Sequence, residues 1–411
     1  MIQMWSHNLH LHLFTILSCS LLCYSVQVHN AEELIDLFKK ETGSTLKTNI
    51  ELLDDLDFSG SGLTFPLGVD SDGNCKAFSG TFQGNGYFIK GLVLNNTNSK
   101  VFNSSGLFCS LKDAIVENLN IDSSCSFTGY EAGGLSVTVS ESVSCFNVTN
   151  RAVISGSYKT GGLIGFIEGI KQETIIVFEG CLNHGAVSGS SFVGGFVGLI
   201  NDNNHLITTF SKCTNNGAVT GYFSDTGGFV GRMGWNTHLG MSFSKCTNNA
   251  AITGSFRSAG GFVGCTCNNN NASVSISKSF SYGTVSHSCS SCSLFYSGGF
   301  IGRIYSDSQT YSLSLFIINS ANKCSVSTQK DIACGLFCVD KTYNYNVNTT
   351  VINSANKGRI SSPKYAYGIA NSITSVRNVV SMGDVSGSSG SYTFWSGLLK
   401  CQSFLWIEEQ L

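Results

Sequence analysis

Apolar and polar positions alternate along much of this chain with a period of two. In Thr208-Thr209-Phe210-Ser211-Lys212-Cys213 and in Ser273-Val274-Ser275-Ile276-Ser277, apolar or β-branched residues fall on one side of an extended backbone and Ser or Lys on the other. The strands so predicted are short, and Asn-Gly, Gly-Gly and Ser-Gly pairs punctuate them. One segment breaks the pattern. Asn30 stands as an N-cap before residues 31–40, Glu33 follows three residues on, Leu34, Leu37 and Phe38 share one helical face, and Lys39 and Lys40 close the end. The spacing predicts a short amphipathic helix.

The strand pattern recurs at a fixed interval. The tetrads Gly162-Leu163-Ile164-Gly165, Gly195-Phe196-Val197-Gly198, Gly228-Phe229-Val230-Gly231, Gly261-Phe262-Val263-Gly264 and Gly299-Phe300-Ile301-Gly302 follow one another at 33, 33, 33 and 38 residues. Weaker copies at Gly106, Gly134, Gly335, Gly368 and Gly397 extend the series to ten, over roughly residues 100–400. A second motif keeps the same register, as in Cys181-Leu182-Asn183-His184-Gly185, Cys213-Thr214-Asn215-Asn216-Gly217 and Cys246-Thr247-Asn248-Asn249-Ala250. Each repeat offers two or three short strands. A unit that small cannot bury its apolar face alone, so neighbours must stack. The repeat is short for a propeller blade and suits one coil of a solenoid. The predicted fold is all-β, a right-handed parallel β-helix with a short N-terminal capping helix, with Leu, Phe, Val and Ile inside and Ser, Thr and Asn facing water. Residues 50–58 and 78–94 read as its first strands.

Composition agrees and removes other classes. Charged residues make up 12% and the net charge is -2, which leaves no basic surface for a nucleic-acid backbone. Glycine appears 46 times and proline only at Pro66 and Pro363, as expected of many turns between strands paired on both sides.

The apolar run at residues 13–24 is too short to span a bilayer and reads as a secretory signal peptide cleaved near Ser25. Export makes the 17 cysteines a source of disulfides and the N-x-S/T triplets at Asn95, Asn103, Asn147, Asn271 and Asn348 a source of glycans. The expected organisation is a signal peptide at 1–25, a cap with the first coils at 26–100, repeats at 101–400 and a tail at 401–411, with no transmembrane segment in the mature chain.

The Gly-Leu-Ile-Gly and Gly-Phe-Val-Gly tetrads resemble the GLUG motif, a repeat of bacterial and protist surface proteins that include some immunoglobulin A-cleaving proteases and adhesin-like proteins. The stretch from Phe78 to Leu92, with Gly80, Gly84, Gly86 and Gly91, resembles the segment that precedes such arrays. Together with the helix at 31–40, the chain is similar to large repeat-bearing surface proteins of flagellated protist parasites. The resemblance implies an architecture and a surface location; it implies no chemistry, because the repeat is a scaffold and the proteases carry their activity in a separate domain.

Catalytic and metal constellations are sparse. None of the eight histidines is followed by Glu, so His-Glu-x-x-His is absent, and no Gly-x-Ser-x-Gly elbow occurs. Asp54, Asp55 and Asp57 form the densest acidic group and, like Asp70 and Asp72, read as solvated turns. Cys265, Cys267, Cys289 and Cys292 could supply four thiolates to zinc, but in an exported chain disulfides within or across the pairs take precedence. Cys181, Cys213 and Cys246 should form a ladder, either bridged by a disulfide or packed as reduced thiols. No cofactor and no metal is expected. The function expected is a secreted or cell-surface scaffold without catalysis, presenting loops and glycans to a surface protein or glycan in adhesion. A carbohydrate-active β-helix enzyme, with acids from adjacent coils converging in one groove, and a truncated copy of a larger anchored protein are the alternatives.

Overall fold

The computed structural model describes residues 25–288, 295–340 and 346–392. The chain winds through about nine turns of a parallel β-solenoid, one fewer than the motif copies, and the copy at Gly397 lies outside the described residues. A full turn holds five short strands, more than the two or three expected. In one turn they are Val197–Asn201, Leu206–Ser211, Thr214–Asn215, Val219–Gly221 and Thr226–Gly227, called columns one to five below. Columns one to three share a 29-stranded sheet, column four forms a 10-stranded sheet and column five a 9-stranded sheet. The strands are shorter than expected because one residue suffices to turn a corner. Between columns two and three that residue is left-handed in successive coils: Asn118, Asn147, Gly180, Lys212, Lys245, Lys278, Asn319, Asn353 and Asn378 have φ between 46° and 64°.

One apolar core runs from Val28 to Val379. In-register pairing places Phe178 against Phe210 and Phe210 against Phe243 (Cα partners), and their rings stack with centroids 4.8 and 4.9 Å apart. The tetrad phenylalanines Phe196, Phe229 and Phe262 form a second pile at 4.8 and 4.7 Å, edge-on to the first.

The tetrad glycines are required for room rather than for a positive φ. A Cβ on Gly195 would overlap the Gly228 carbonyl oxygen of the next coil and approach Asn215 Oδ1 to 2.7 Å; one on Gly198 would lie 2.6 Å from the Gly165 carbonyl oxygen. Neither residue lies in the left-handed region.

The asparagines of the second motif correct the expectation that Asn faces water. Asn150, Asn183, Asn215 and Asn248 are fully buried, and the Nδ2 of each of the first three donates to Oδ1 of the next coil's asparagine at 2.9 Å. Asn183 Nδ2 also donates to the carbonyl of Gly185 at 3.1 Å, so the amide closes its own corner while linking coils. Asn322 and Asn356 repeat the pair at 2.8 Å, with Ser281 interrupting the series. A second buried ladder, Asn203, Asn236 and Asn269, joins the turns after column one at 3.0 and 2.9 Å. Amides satisfy both halves of their hydrogen-bonding capacity at this spacing, which removes the penalty of burying them.

The predicted helix, α1, spans Ala31–Lys40. Asn30 Oδ1 accepts from the Glu33 amide at 3.0 Å, and Glu33 accepts from the His29 amide at 2.8 Å, a reciprocal capping box. Its buried face, Ala31, Leu34, Ile35 and Phe38, covers the first coils, with the Phe38 ring 6.3 Å from Phe78 and 6.0 Å from Phe108. Lys76 Nζ donates to the carbonyls of Phe38 and Glu41 and ties down the helix end. Strands Ser25–Val28 and Thr45–Lys47, which the alternation did not single out, complete the first turn. No helix among the described residues is long and apolar enough to cross a membrane.

Gly195→Ala should cost about 1–3 kcal/mol by overpacking. Asn215→Ala should cost roughly as much again, because the Asn183 amide and the Asn248 carbonyl oxygen each lose a buried partner. Gly43→Ala, where a Cβ meets the side chain of Glu41 at 3.2 Å and backbone atoms of Thr45 at ordinary contact distances of 3.9 and 4.0 Å, should shift the midpoint little. Urea unfolding followed by circular dichroism measures all three.

Candidate functional site

The chemistry-bearing residues fall at four places on the solenoid: the glycan acceptors, the cysteines, a seam between columns five and one, and exposed acidic turns. All five acceptor asparagines, Asn95, Asn103, Asn147, Asn271 and Asn348, are exposed. Asn95 closes the column-four strand Val93–Asn95, Asn348 lies in Asn346–Asn356, and Asn147 and Asn271 occupy left-handed corners. The solenoid interior is filled, so any group on these amides projects outward.

Three disulfides are present among the described residues: Cys75–Cys109, Cys265–Cys267 and Cys334–Cys338. The first and third were not anticipated. Cys75 lies in an irregular excursion before the repeats, and Cys109 is brought to it by the pairing of Leu67 with Phe108, which no repeat spacing encodes. Cys265 pairs within its own Cys-x-Cys; Cys289 and Cys292 lie outside the described residues. Cys181, Cys213 and Cys246 form the expected ladder as free, fully buried thiols. Their Sγ atoms lie 3.3, 3.4 and 3.3 Å from carbonyls of the preceding coil, at Cys145, Phe178 and Phe210, so the bridged alternative is not the one adopted. Burial pushes the Cys213 and Cys246 thiols far above the usual thiol range.

At the seam, outward side chains of column five meet those of column one. Lys159 Nζ sits 3.2 Å from Glu131 and 2.6 Å from Glu168, and 3.9 Å above the Phe166 ring. Burial alone would lower its pKa, but the two carboxylates raise it above the usual lysine value. Further along, Asp225 accepts from Ser258 Oγ at 2.5 Å and lies 3.8 Å from Arg232, whose guanidinium covers Phe192. Arg303 pairs with Asp340 and covers Tyr305 at 4.3 Å. Asp225, Cys265 and Cys267 converge closely enough to hold a metal ion. Their chemistry opposes it: the sulfurs are bonded to each other, so they carry no thiolate charge, and Arg232 already faces the carboxylate.

The acidic turns are organised by local bonds. Asp55 accepts from the Phe88 amide at 2.8 Å and pairs with Lys90 at 2.5 Å, which holds its carboxyl below the usual range. Asp57 and Asp70 accept from the amides of Ser59 and Asp72, as Asx turns do. Asp113 and Glu141, from adjacent coils, share a hydrogen bond; burial and then the Glu141 carboxyl raise Asp113, while Lys112 at 2.8 Å lowers Glu141. The two carboxyls are thus pushed in opposite directions, as those of an acid and base pair are. Bonded directly, though, the carboxyls stand closer than the roughly 5 Å that even a retaining glycosidase keeps between them.

One buried titratable group lies apart. His287 follows Gly156, Gly189, Gly221 and Gly254 down column four and fills their space with an imidazole. Nδ1 lies 2.8 Å from Ser297 Oγ, and Nε2 has no partner. Burial pushes its pKa down to about 4.

No family model matches the chain, and no curated protein sequence does. Among solved structures, a Bacteroides ovatus protein described as a "putative immunoglobulin A1 protease" is similar at 16% identity over 86% of this chain and 83% of its own, with a TM-score of 0.47.

Non-reducing peptide mapping should recover Cys75–Cys109, and alkylation without denaturant should leave Cys181, Cys213 and Cys246 unmodified. For His287 the native state refuses a proton that the unfolded state takes up below pH 6.5. Stability should therefore fall as pH drops from 6.5 to about 4, by about 1.4 kcal/mol per unit. His287→Ala should flatten that part of the profile of unfolding free energy against pH.

Proposed function

We propose that the chain is an exported, non-catalytic β-helical scaffold that presents loops and glycans in adhesion at a cell surface or in the extracellular space. The observation that carries the reading is the exposure of all five acceptor asparagines on a solenoid whose interior is closed. Disulfides inside and outside the repeats suit an oxidising compartment. Large apolar rings at the surface add material for contact: Phe223 is 65% exposed, and Tyr222 and Trp235 are about half exposed.

The absence of catalysis is part of the proposal and is supported by charge pairing. An enzyme of this fold needs carboxyls free to exchange protons with a substrate. The seam carboxyls Glu131, Glu168 and Asp340 are bound to cations, and Lys90 stands among Asp55, Asp57 and Asp122 on the turns. A solenoid also offers a long, shallow face, which suits binding of extended partners.

Antibody labelling of intact cells and a binding assay with the purified chain on host cells test this reading. Surface label, saturable binding and a mass decrease on enzymatic removal of N-glycans are expected. A cytosolic, unglycosylated chain would sink the proposal.

A further inference from the structure

From Asn118 to Asn378 the corner between columns two and three carries a left-handed residue in each of nine coils, asparagine in five of them and Gly180 in one. In three successive coils it is lysine: Lys212, Lys245 and Lys278, all exposed. Their backbones are locked rung to rung. The Lys212 amide donates to the Ser244 carbonyl at 2.9 Å, the Lys245 amide to Ser277 and the Lys278 amide to Ile318, each at 3.0 Å. Three lysine positions therefore stand in file at the parallel-strand spacing of about 4.8 Å. Lysine is a costlier choice than asparagine on two counts, because a left-handed φ disfavours it and like charges stacked in file repel.

The surroundings are as regular. On column two of the same coils the outward positions are Ile207, Thr209 and Ser211, then Gly240, Ser242 and Ser244, then Ser273, Ser275 and Ser277. On column three they are Thr214, Thr247 and Phe280, followed by Asn216, Asn249 and the half-exposed Tyr282. The only carboxylate on this strip is Glu179, one coil earlier, which pairs with Lys212 at 2.8 Å. One coil further on the corner residue is Asn319 again, and Lys323 stands on the far side of column three, 5.1 Å from the Tyr282 ring centroid. In a chain of net charge -2, this is a strip of cations beside a bed of hydroxyls and amides.

We propose that this corner binds a linear polyanionic polysaccharide lying along the solenoid axis, its sulfate or carboxylate groups meeting Lys212, Lys245 and Lys278 in turn and its sugar hydroxyls meeting the Ser and Thr rows. Charge complementarity selects a polyanion. The hydroxyl bed selects a sugar chain over a nucleic acid, whose bases would need a ring in each coil to stack on, where this strip has only Phe280 and Tyr282, both in one coil. The inference rests on the scaffold reading only in naming what the displayed face takes.

The test uses the full chain on immobilised heparin, with neutral dextran and single-stranded DNA as comparators. Lys212→Asn, Lys245→Asn and Lys278→Asn together install the residue that other coils use at the same corner, so the fold is kept. Lys39→Asn, Lys40→Asn and Lys100→Asn make the same charge change elsewhere. The expected result is heparin binding that weakens with salt, at least about tenfold weaker binding by the corner variant (about 1.4 kcal/mol), and wild-type binding by the control variant. Equal binding by the corner variant, equal loss in the control, or DNA bound as tightly as heparin would each overturn the proposal. If the chain adheres to cells but ignores heparin, this inference falls and the scaffold reading stands; if it binds heparin through the corner but never reaches the surface, the reverse holds.

Discussion

Strict vertical register is the constraint on which everything else in this molecule depends. Parallel rungs about 4.8 Å apart place each side chain over the equivalent one in the next coil, so a residue is chosen for how well it stacks on its own kind. Aromatic rings satisfy that condition face to face, as Phe178, Phe210 and Phe243 do. A carboxamide satisfies it head to tail, as Asn183, Asn215 and Asn248 do. Glycine satisfies it by having nothing to stack, where Gly195 lies beneath the carbonyl of Gly228. The repeated motifs are the imprint of this selection on the chain.

Much of the architecture was therefore legible before any coordinates. The interval of 33 residues, the period of two within strands and the capping box at Asn30 each rest on a local rule, and the solenoid and α1 followed from them. Orientation was harder. By itself the asparagine in Cys-x-Asn-x-Gly reads as facing water because a single amide is costly to bury; only a column of amides at one height removes the cost, and that is a property of the stack. The second ladder, through Asn203, Asn236 and Asn269, also recurs every 33 residues, but its neighbours change from coil to coil and hid it.

Candidate chemistry was less legible for a related reason. Cys75 lies outside the repeat, so its meeting with Cys109 depends on the path of an excursion and not on a spacing. The seam brings together residues ordinary in sequence, such as Lys159 between Glu131 and Glu168, because two columns meet at an angle that alternation does not report. His287 looked like any other histidine until its column proved to be glycine in the coils before it.

The amide ladder also bears on how such a chain changes over time. Asn183 and Asn215 each give one hydrogen bond to the coil on one side and take one from the other, so the junction above such a coil is chemically the same as the junction below it. A duplicated 33-residue unit entering between two such coils would meet matching donors, acceptors, rings and gaps at both faces. Length is then nearly independent of foldability in this molecule. Recombination can lengthen or shorten the rod by whole coils, carrying each corner residue with it, without disturbing the register that holds the rest.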